Sequence, residues 1–127
     1  MIATYKYRTE FDPPAPVIAA RIAHLSTAVA VDDFPAQIDH GADRSVIPAA
    51  LVRSLELVPL DRIPVRGFLG KPEEMSRYTV QVTPKGLRPV EVAVLTSTEE
   101  RVMILGRDVL NHFRVVLEGP NQTVEIS

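Results

Sequence analysis

The chain has 127 residues, 46% of them hydrophobic and 24% charged, the ordinary make-up of a globular protein with room for one domain. Its net charge of −2 offers no basic field to nucleic acid or an anionic membrane. The absence of Cys excludes disulfides, thiol nucleophiles and Cys-ligated metal sites, and 11 prolines among many Val, Ile and Thr residues argue for short strands and turns over a helical bundle.

Residues 2–9 alternate loosely and read as a strand. The stretch up to Glu10 is polar, without the apolar segment of a secretory signal. No segment reaches the ~18 apolar residues of a membrane span, so a soluble, cytoplasmic protein is expected. Residues 11–16 (FDPPAP) break the pattern. Residues 17–25 then place Val17, Ala19, Arg21 and Ala23 on one face and Ile18, Ala20, Ile22 and His24 on the other, a period-2 pattern that suits a sheet. Residues 28–38 read as a further strand region in which Asp32-Asp33 marks a turn, leaving Phe34 to Ile38 as a short strand that ends at Asp39. Asp39 to Asp43 is a loop by composition.

Ser45-Val46-Ile47 is short and apolar, and Pro48 to Leu55 predicts a helix with proline in its first turn, stopped by Pro59. Residues 62–84 predict a long hairpin with its tip at Gly67 to Pro72. A strand over 89–96, a fully apolar strand over 102–105, a short helix over 107–113 and a last hairpin of 114–118 with 123–126 complete the chain. The sum is a mainly β protein of about eight or nine short strands with one or two short helices. His24 reads as a half-buried surface residue, and His112 sits at a helix C-terminus, where a polar or cationic tip is favourable.

Two segments carry the candidate chemistry. Asp39-His40-Gly41-Ala42 follows an apolar strand end, and alone is a common turn composition. Ile104-Leu105-Gly106-Arg107-Asp108-Val109-Leu110, alone, reads as a buried strand feeding a helix, with Gly for close approach. Together, and with the Gly-containing stretch Arg66 to Pro72 (RGFLGKP) between them, they resemble the retropepsin-like (retroviral-type) aspartic proteases. That family reads Asp-Thr/Ser-Gly-Ala at the first motif and apolar-apolar-Gly-Arg-Asn/Asp-apolar-Leu at the second. The resemblance runs from about residue 15 to residue 127, with 1–14 as an N-terminal strand or extension, and implies a closed β-barrel of the acid-protease fold, assembled as a homodimer.

The resemblance also implies roles. Asp39 with Gly41 would be catalytic, and His40 and Ala42 would complete the active-site loop. Asp43, the flap residues Gly67, Phe68, Leu69 and Gly70, and Ile104 would contact substrate, with Ala42 and Ile47 adding apolar lining. Gly106 and Arg107 would support the site, Arg107 through a partly buried ion pair with Asp43. No metal or cofactor is implied. The implied reaction is peptide hydrolysis by a water activated between two carboxylates that share one proton. The chain supplies one Asp-x-Gly at the required place, since Asp108 falls in the following helix. A second copy must bring the other Asp39. The partners expected are therefore that copy and a peptide or protein substrate, not nucleic acid or membrane.

His40 departs from the family's Thr or Ser. That hydroxyl reaches across the dimer axis, donating to a backbone carbonyl and accepting from an N–H. One imidazole nitrogen cannot do both. A protonated ring beside Asp39 also favours the charged carboxylate, and two such cations near an axis repel. Three readings follow: an active endopeptidase with an altered dimer contact; a catalytically impaired pseudoprotease serving as a dimerisation or peptide-binding module; and, outside the family, a generic β-barrel interaction domain.

Overall fold

A computed structural model describes residues 1–66 and 72–127. The predicted hairpin-tip residues Gly67, Phe68, Leu69 and Gly70 lie outside the described residues. In chain order the elements are β1 (Ala3–Lys6), β2 (Val17–Ala23), β3 (Ala30–Ile38), β4 (Val46–Pro48), α1 (Ala50–Ser54), β5 (Asp61–Arg66), β6 (Pro72–Pro84), β7 (Val90–Ser97), β8 (Met103–Leu105), α2 (Arg107–Leu110), β9 (Val115–Glu118) and β10 (Thr123–Ile126).

Period-2 alternation puts Ile18, Ala20 and Ile22 of β2 and Val80 and Val82 of β6 on the inside, all nearly or fully buried. The hydrogen-bonded order β2-β3-β8-β4-β7-β6 closes on itself because β6 also pairs with β2, from Ala20↔Pro84 to Ala23↔Gln81. Closure leaves those strands no free edge. The 13-residue length of β6 lets it serve twice. Its first half pairs with β5 as a hairpin, and its second half runs between β7 and β2 in the barrel wall. Two of the contacts are parallel, β3 with β8 and β4 with β7. Ile47, Met103, Leu105, Val94 and Val109 fill the interior, with Leu55 of the α1 end sealing one side.

The remaining sheet is antiparallel, in the order β1-β10-β9. The terminal strands thus pair within one subunit, with Ala3↔Ile126 and Lys6↔Thr123 as the end pairs. The Tyr5 hydroxyl donates to the Lys85 carbonyl at 2.6 Å, tying this sheet to the barrel.

Three local expectations need correction. Asp32-Asp33 is not a turn. β3 runs through it, and the register against β2 jumps from Ala20↔Phe34 to Ile22↔Val31, so one residue of β2 faces two of β3. This is a bulge, with Asp33 in the left-handed region at φ 51°, a conformation aspartate tolerates better than most residues. Arg21 pairs with Asp32 and Lys85 with Asp33, each at 3.1 Å, which gives the bulge charges solvated partners. Pro48 ends β4 opposite Ser97 and does not start the helix, which begins at Ala50. α2 stops at Leu110 instead of reaching Phe113. There the chain tightens into i→i+3 bonds and Arg114 is captured by Ser127 through two backbone hydrogen bonds.

Candidate active site

The end of β3 delivers Asp39. Its N–H donates to the Leu105 carbonyl at 3.0 Å, extending the β3–β8 ladder one residue beyond the strand. The chain then turns sharply, with the Ala42 N–H donating to the Asp39 carbonyl at 3.1 Å. Inside that turn the Gly41 N–H donates to Asp39 Oδ1 at 3.0 Å, which fixes the carboxylate's orientation. A Cβ on Gly41 would stand 3.2 Å from that oxygen, so glycine permits this approach. Asp39 is half-buried and His40 exposed.

The second motif clamps the turn from behind. The Arg107 N–H donates to the Ala42 carbonyl at 2.8 Å, and its guanidinium donates to the His40 carbonyl at 2.9 Å. Gly106 makes the clamp possible. A Cβ there would meet the Arg44 carbonyl carbon at 2.7 Å and the oxygens of Ala42 and Arg44 at 2.9 Å. Backbone atoms cannot yield as a flexible side chain can, so only hydrogen fits.

The expected Asp43–Arg107 ion pair does not form. Asp43 is exposed, while Arg107 turns its donors to the carbonyls of the loop. A carbonyl acceptor holds the guanidinium without the cost of desolvating a second charge. Ile47 is also misplaced as a pocket residue, being fully buried in the core. Ala42 and Ile104 remain half-buried, Ile104 lying between Gln37 of β3 and Val46 of β4. His24 is half-buried, as expected, with Nδ1 accepting from the Ser26 N–H at 2.9 Å.

The sequence reading missed the residues that join the two motifs most strongly. Ser45 is the buried polar residue among those described, at 0% exposure. Its N–H donates to both oxygens of Asp108 at 3.1 and 2.9 Å, and its hydroxyl donates to Oδ1 at 2.6 Å. The same hydroxyl accepts from the Gly106 N–H at 3.0 Å, and the Ser45 carbonyl accepts from Leu95 at 3.0 Å. Every polar group of Ser45 is satisfied, as burial demands. A serine just beyond Asp39–Asp43 and an acid just after Gly106-Arg107 were visible in the sequence. Their separation of 63 positions gave no local pattern to connect them.

Beside the loop lies a cavity of about 280 Å³ lined by Ile38, His40, Leu110, Asn111, Phe113, Val115 and Leu117. Arg88 stacks over Phe113, 4.4 Å from the ring centroid, and donates to the His112 carbonyl. Among the described residues no group of three His, Asp or Glu side chains could hold a metal ion, and no helix is long and apolar enough to cross a membrane.

The fold has counterparts among solved structures. EIAV protease complexed with the inhibitor HBY-793 matches with a TM-score of 0.58 and 24% identity, over 85% of this chain and 93% of that one. A retropepsin-like aspartic protease from Rickettsia conorii matches with a TM-score of 0.67 and 10% identity, over 99% of this chain and 91% of that one. The retroviral protease-like domain of Ddi1 from Leishmania major matches with a TM-score of 0.54 and 17% identity, over 84% and 82%. The fold is therefore retropepsin-like. No protein-family model and no curated protein matches the chain.

Proposed function

We propose that this chain is one half of a homodimeric aspartic endopeptidase. The observation that carries the reading is the mounting of Asp39: a half-buried carboxylate, oriented by the Gly41 amide, on a turn anchored to β8 and to the Gly106-Arg107 segment. An aspartate that serves only as a turn former has no need of a second chain segment holding the turn in place.

In this reading two Asp39 side chains meet at a two-fold axis. Like charges that close share one proton, so one carboxyl is the acid and the other the base. The base takes a proton from water as the water attacks the amide carbon. The acid donates toward the carbonyl oxygen, and no covalent enzyme intermediate forms. The substrate is an extended peptide adding its backbone to strand edges, with Asp43 holding its main chain and Ala42 and Ile104 facing its side chains. A cytoplasmic setting fits a chain without Cys.

His40 favours a second reading, a pseudoprotease of the same fold that binds peptides or dimerises without turnover. Its backbone carbonyl is held by Arg107, so the turn keeps its shape without a hydroxyl at position 40. The exposed imidazole still cannot reproduce a two-way hydroxyl contact across an axis. Turnover of casein by wild type, Asp39→Asn and His40→Thr, with and without a pepstatin-like inhibitor, separates the readings. Activity in the wild type that Asp39→Asn and the inhibitor both abolish is the expected result. Activity seen only in His40→Thr supports the pseudoprotease. Activity untouched by Asp39→Asn refutes the mechanism.

A further inference from the structure

The loop that carries Asp39 ends in a cation. Arg44 lies two residues beyond Ala42 and is half-buried. Its carbonyl packs against Gly106, where an added Cβ would stand 2.9 Å from the oxygen. The next residue, Ser45, is locked to Asp108 through its N–H and its hydroxyl. The Arg44 backbone is therefore held by the second motif. Its guanidinium is not held in the same way: among the described residues no carboxylate lies within ion-pair distance of it. A half-buried charge without a counter-charge is costly, and arginines kept out of water are ordinarily paired.

Three observations point to the missing partner. First, the positive charge of Arg44 is felt at Asp61, where it adds to the lowering of the carboxylate pKa. Arg44 is thus close to β5, the strand that opens the hairpin leading to the predicted flap. Second, Asp61 is already taken. Arg77 Nε donates to its Oδ1 at 2.7 Å and Arg77 Nη2 to its Oδ2, the two-pronged contact that satisfies a carboxylate. Arg44 and Arg77 against Asp61 leave one positive charge in excess. Third, the strand that follows Arg44 supplies an apolar floor. Val46 pairs with Ile104 across β4 and β8, so the two side chains share a face, and both are half-buried. Asp43, exposed beside Arg44, is assigned above to the substrate's main chain, which leaves Arg44 for a side chain.

We propose that Arg44 sets the substrate class: its guanidinium takes the carboxylate of a Glu or Asp side chain of the bound peptide, close to the cleaved bond. The proposal rests on the two-carboxylate reading above and deepens it by naming the peptides that the site selects. A planar guanidinium meets a carboxylate through two parallel N–H···O bonds. An amide of the same shape carries no charge to match them, and an ammonium is repelled. Between the apolar floor and a bound peptide, water is displaced and the discrimination grows.

The test uses fluorescein-labelled peptide pools with an apolar centre, each pool holding Glu, Gln or Lys at a single flanking position and mixtures of Ala, Val and Leu elsewhere. Binding is read by fluorescence anisotropy on the full chain carrying Asp39→Asn, apart from turnover, and cleavage by mass spectrometry with wild type. Circular dichroism checks the folding of every variant. The expected result is a flanking position at which the Glu pool binds at least about tenfold more tightly than the Gln pool, with the Lys pool weakest. Adding Arg44→Gln should bring the Glu and Gln pools within about twofold of each other, Arg44→Glu should turn the preference to Lys, and Arg44→Lys should keep part of it. A merely structural role for Arg44 would weaken all pools alike. Glu and Gln pools within about twofold at every position, a Glu preference that survives Arg44→Gln, or no binding of any pool overturns the proposal. A Glu preference in binding without cleavage by wild type refutes the endopeptidase reading while leaving the Arg44 assignment standing.

Discussion

Asp108→Ala is expected to be the most damaging single truncation of a side chain outside the apolar core. The carboxylate takes three hydrogen bonds from Ser45, two from its N–H and one from its hydroxyl, and Ser45 is 0% exposed. Removing the carboxylate strands two buried donors. Each such group costs about 1–3 kcal/mol when left unmade, so the loss is about 2–6 kcal/mol, a large part of the ~5–15 kcal/mol of a typical domain. At about 4 °C per kcal/mol for a chain of this size, the melting midpoint should fall by about 8–24 °C. Denaturant titration at fixed protein concentration should show a lower midpoint with an unchanged slope. Asp108→Asn keeps one acceptor oxygen and should lose less, about 1–2 kcal/mol. In a double-mutant cycle with Ser45→Ala the coupling should be at least about 1 kcal/mol. A loss below about 1 kcal/mol for Asp108→Ala, or strictly additive effects of Asp108→Ala and Ser45→Ala, would refute the claim that this network joins the two motifs.

Gly106→Ala forces a methyl against the Arg44 and Ala42 backbone at 2.7–2.9 Å; a stability loss of about 1–3 kcal/mol by thermal unfolding is expected, and loss of casein turnover with it. Arg107→Met keeps an unbranched apolar stem but removes the bond to the His40 carbonyl; turnover should drop further than the melting midpoint suggests, because the loop can shift while the barrel stands. Asp61 faces Arg77 across the β5–β6 hairpin, and the hydrogen bond from Arg77, at 2.7 Å, lowers the Asp61 pKa below the usual carboxylate value. Its contribution is therefore present above the unfolded-state value and disappears as pH falls through the folded one; Asp61→Asn should melt slightly below wild type at neutral pH, and the gap should close as the pH falls below the ordinary carboxylate range.

The two motifs and the barrel were legible for the same reason: both depend on short-range pattern. Alternation over 17–23 and 90–97 fixes which side chains face inward, and Asp39-x-Gly41 and Ile104 to Leu110 each form a compact local word. Readings that needed to know which groups meet were less secure. Arg107 could be placed near the Asp39 loop but not assigned its acceptor, and a carboxylate seemed the natural partner. The guanidinium instead donates to the His40 carbonyl, while the backbone N–H of Arg107 takes the Ala42 carbonyl. The bulge at Asp33 looked like a turn because Asp-Asp signals a break in either case, and only the register against β2 distinguishes them.

The sequence by itself determined the β architecture, the position of Asp39 at a strand end and glycine at 106 as a point of close approach. These follow from periodicity and from the steric demands of single residues. Tertiary structure alone decided that the Ser45–Asp108 network and the Arg107 bonds to loop carbonyls, not an Asp43–Arg107 ion pair, bind the two motifs together, and that β1 closes on β10 so that β9 keeps an open edge. The reason is physical: hydrogen bonds and strand edges are satisfied by whatever the folded chain brings within about 3 Å, and proximity between residues far apart in sequence is a product of the fold.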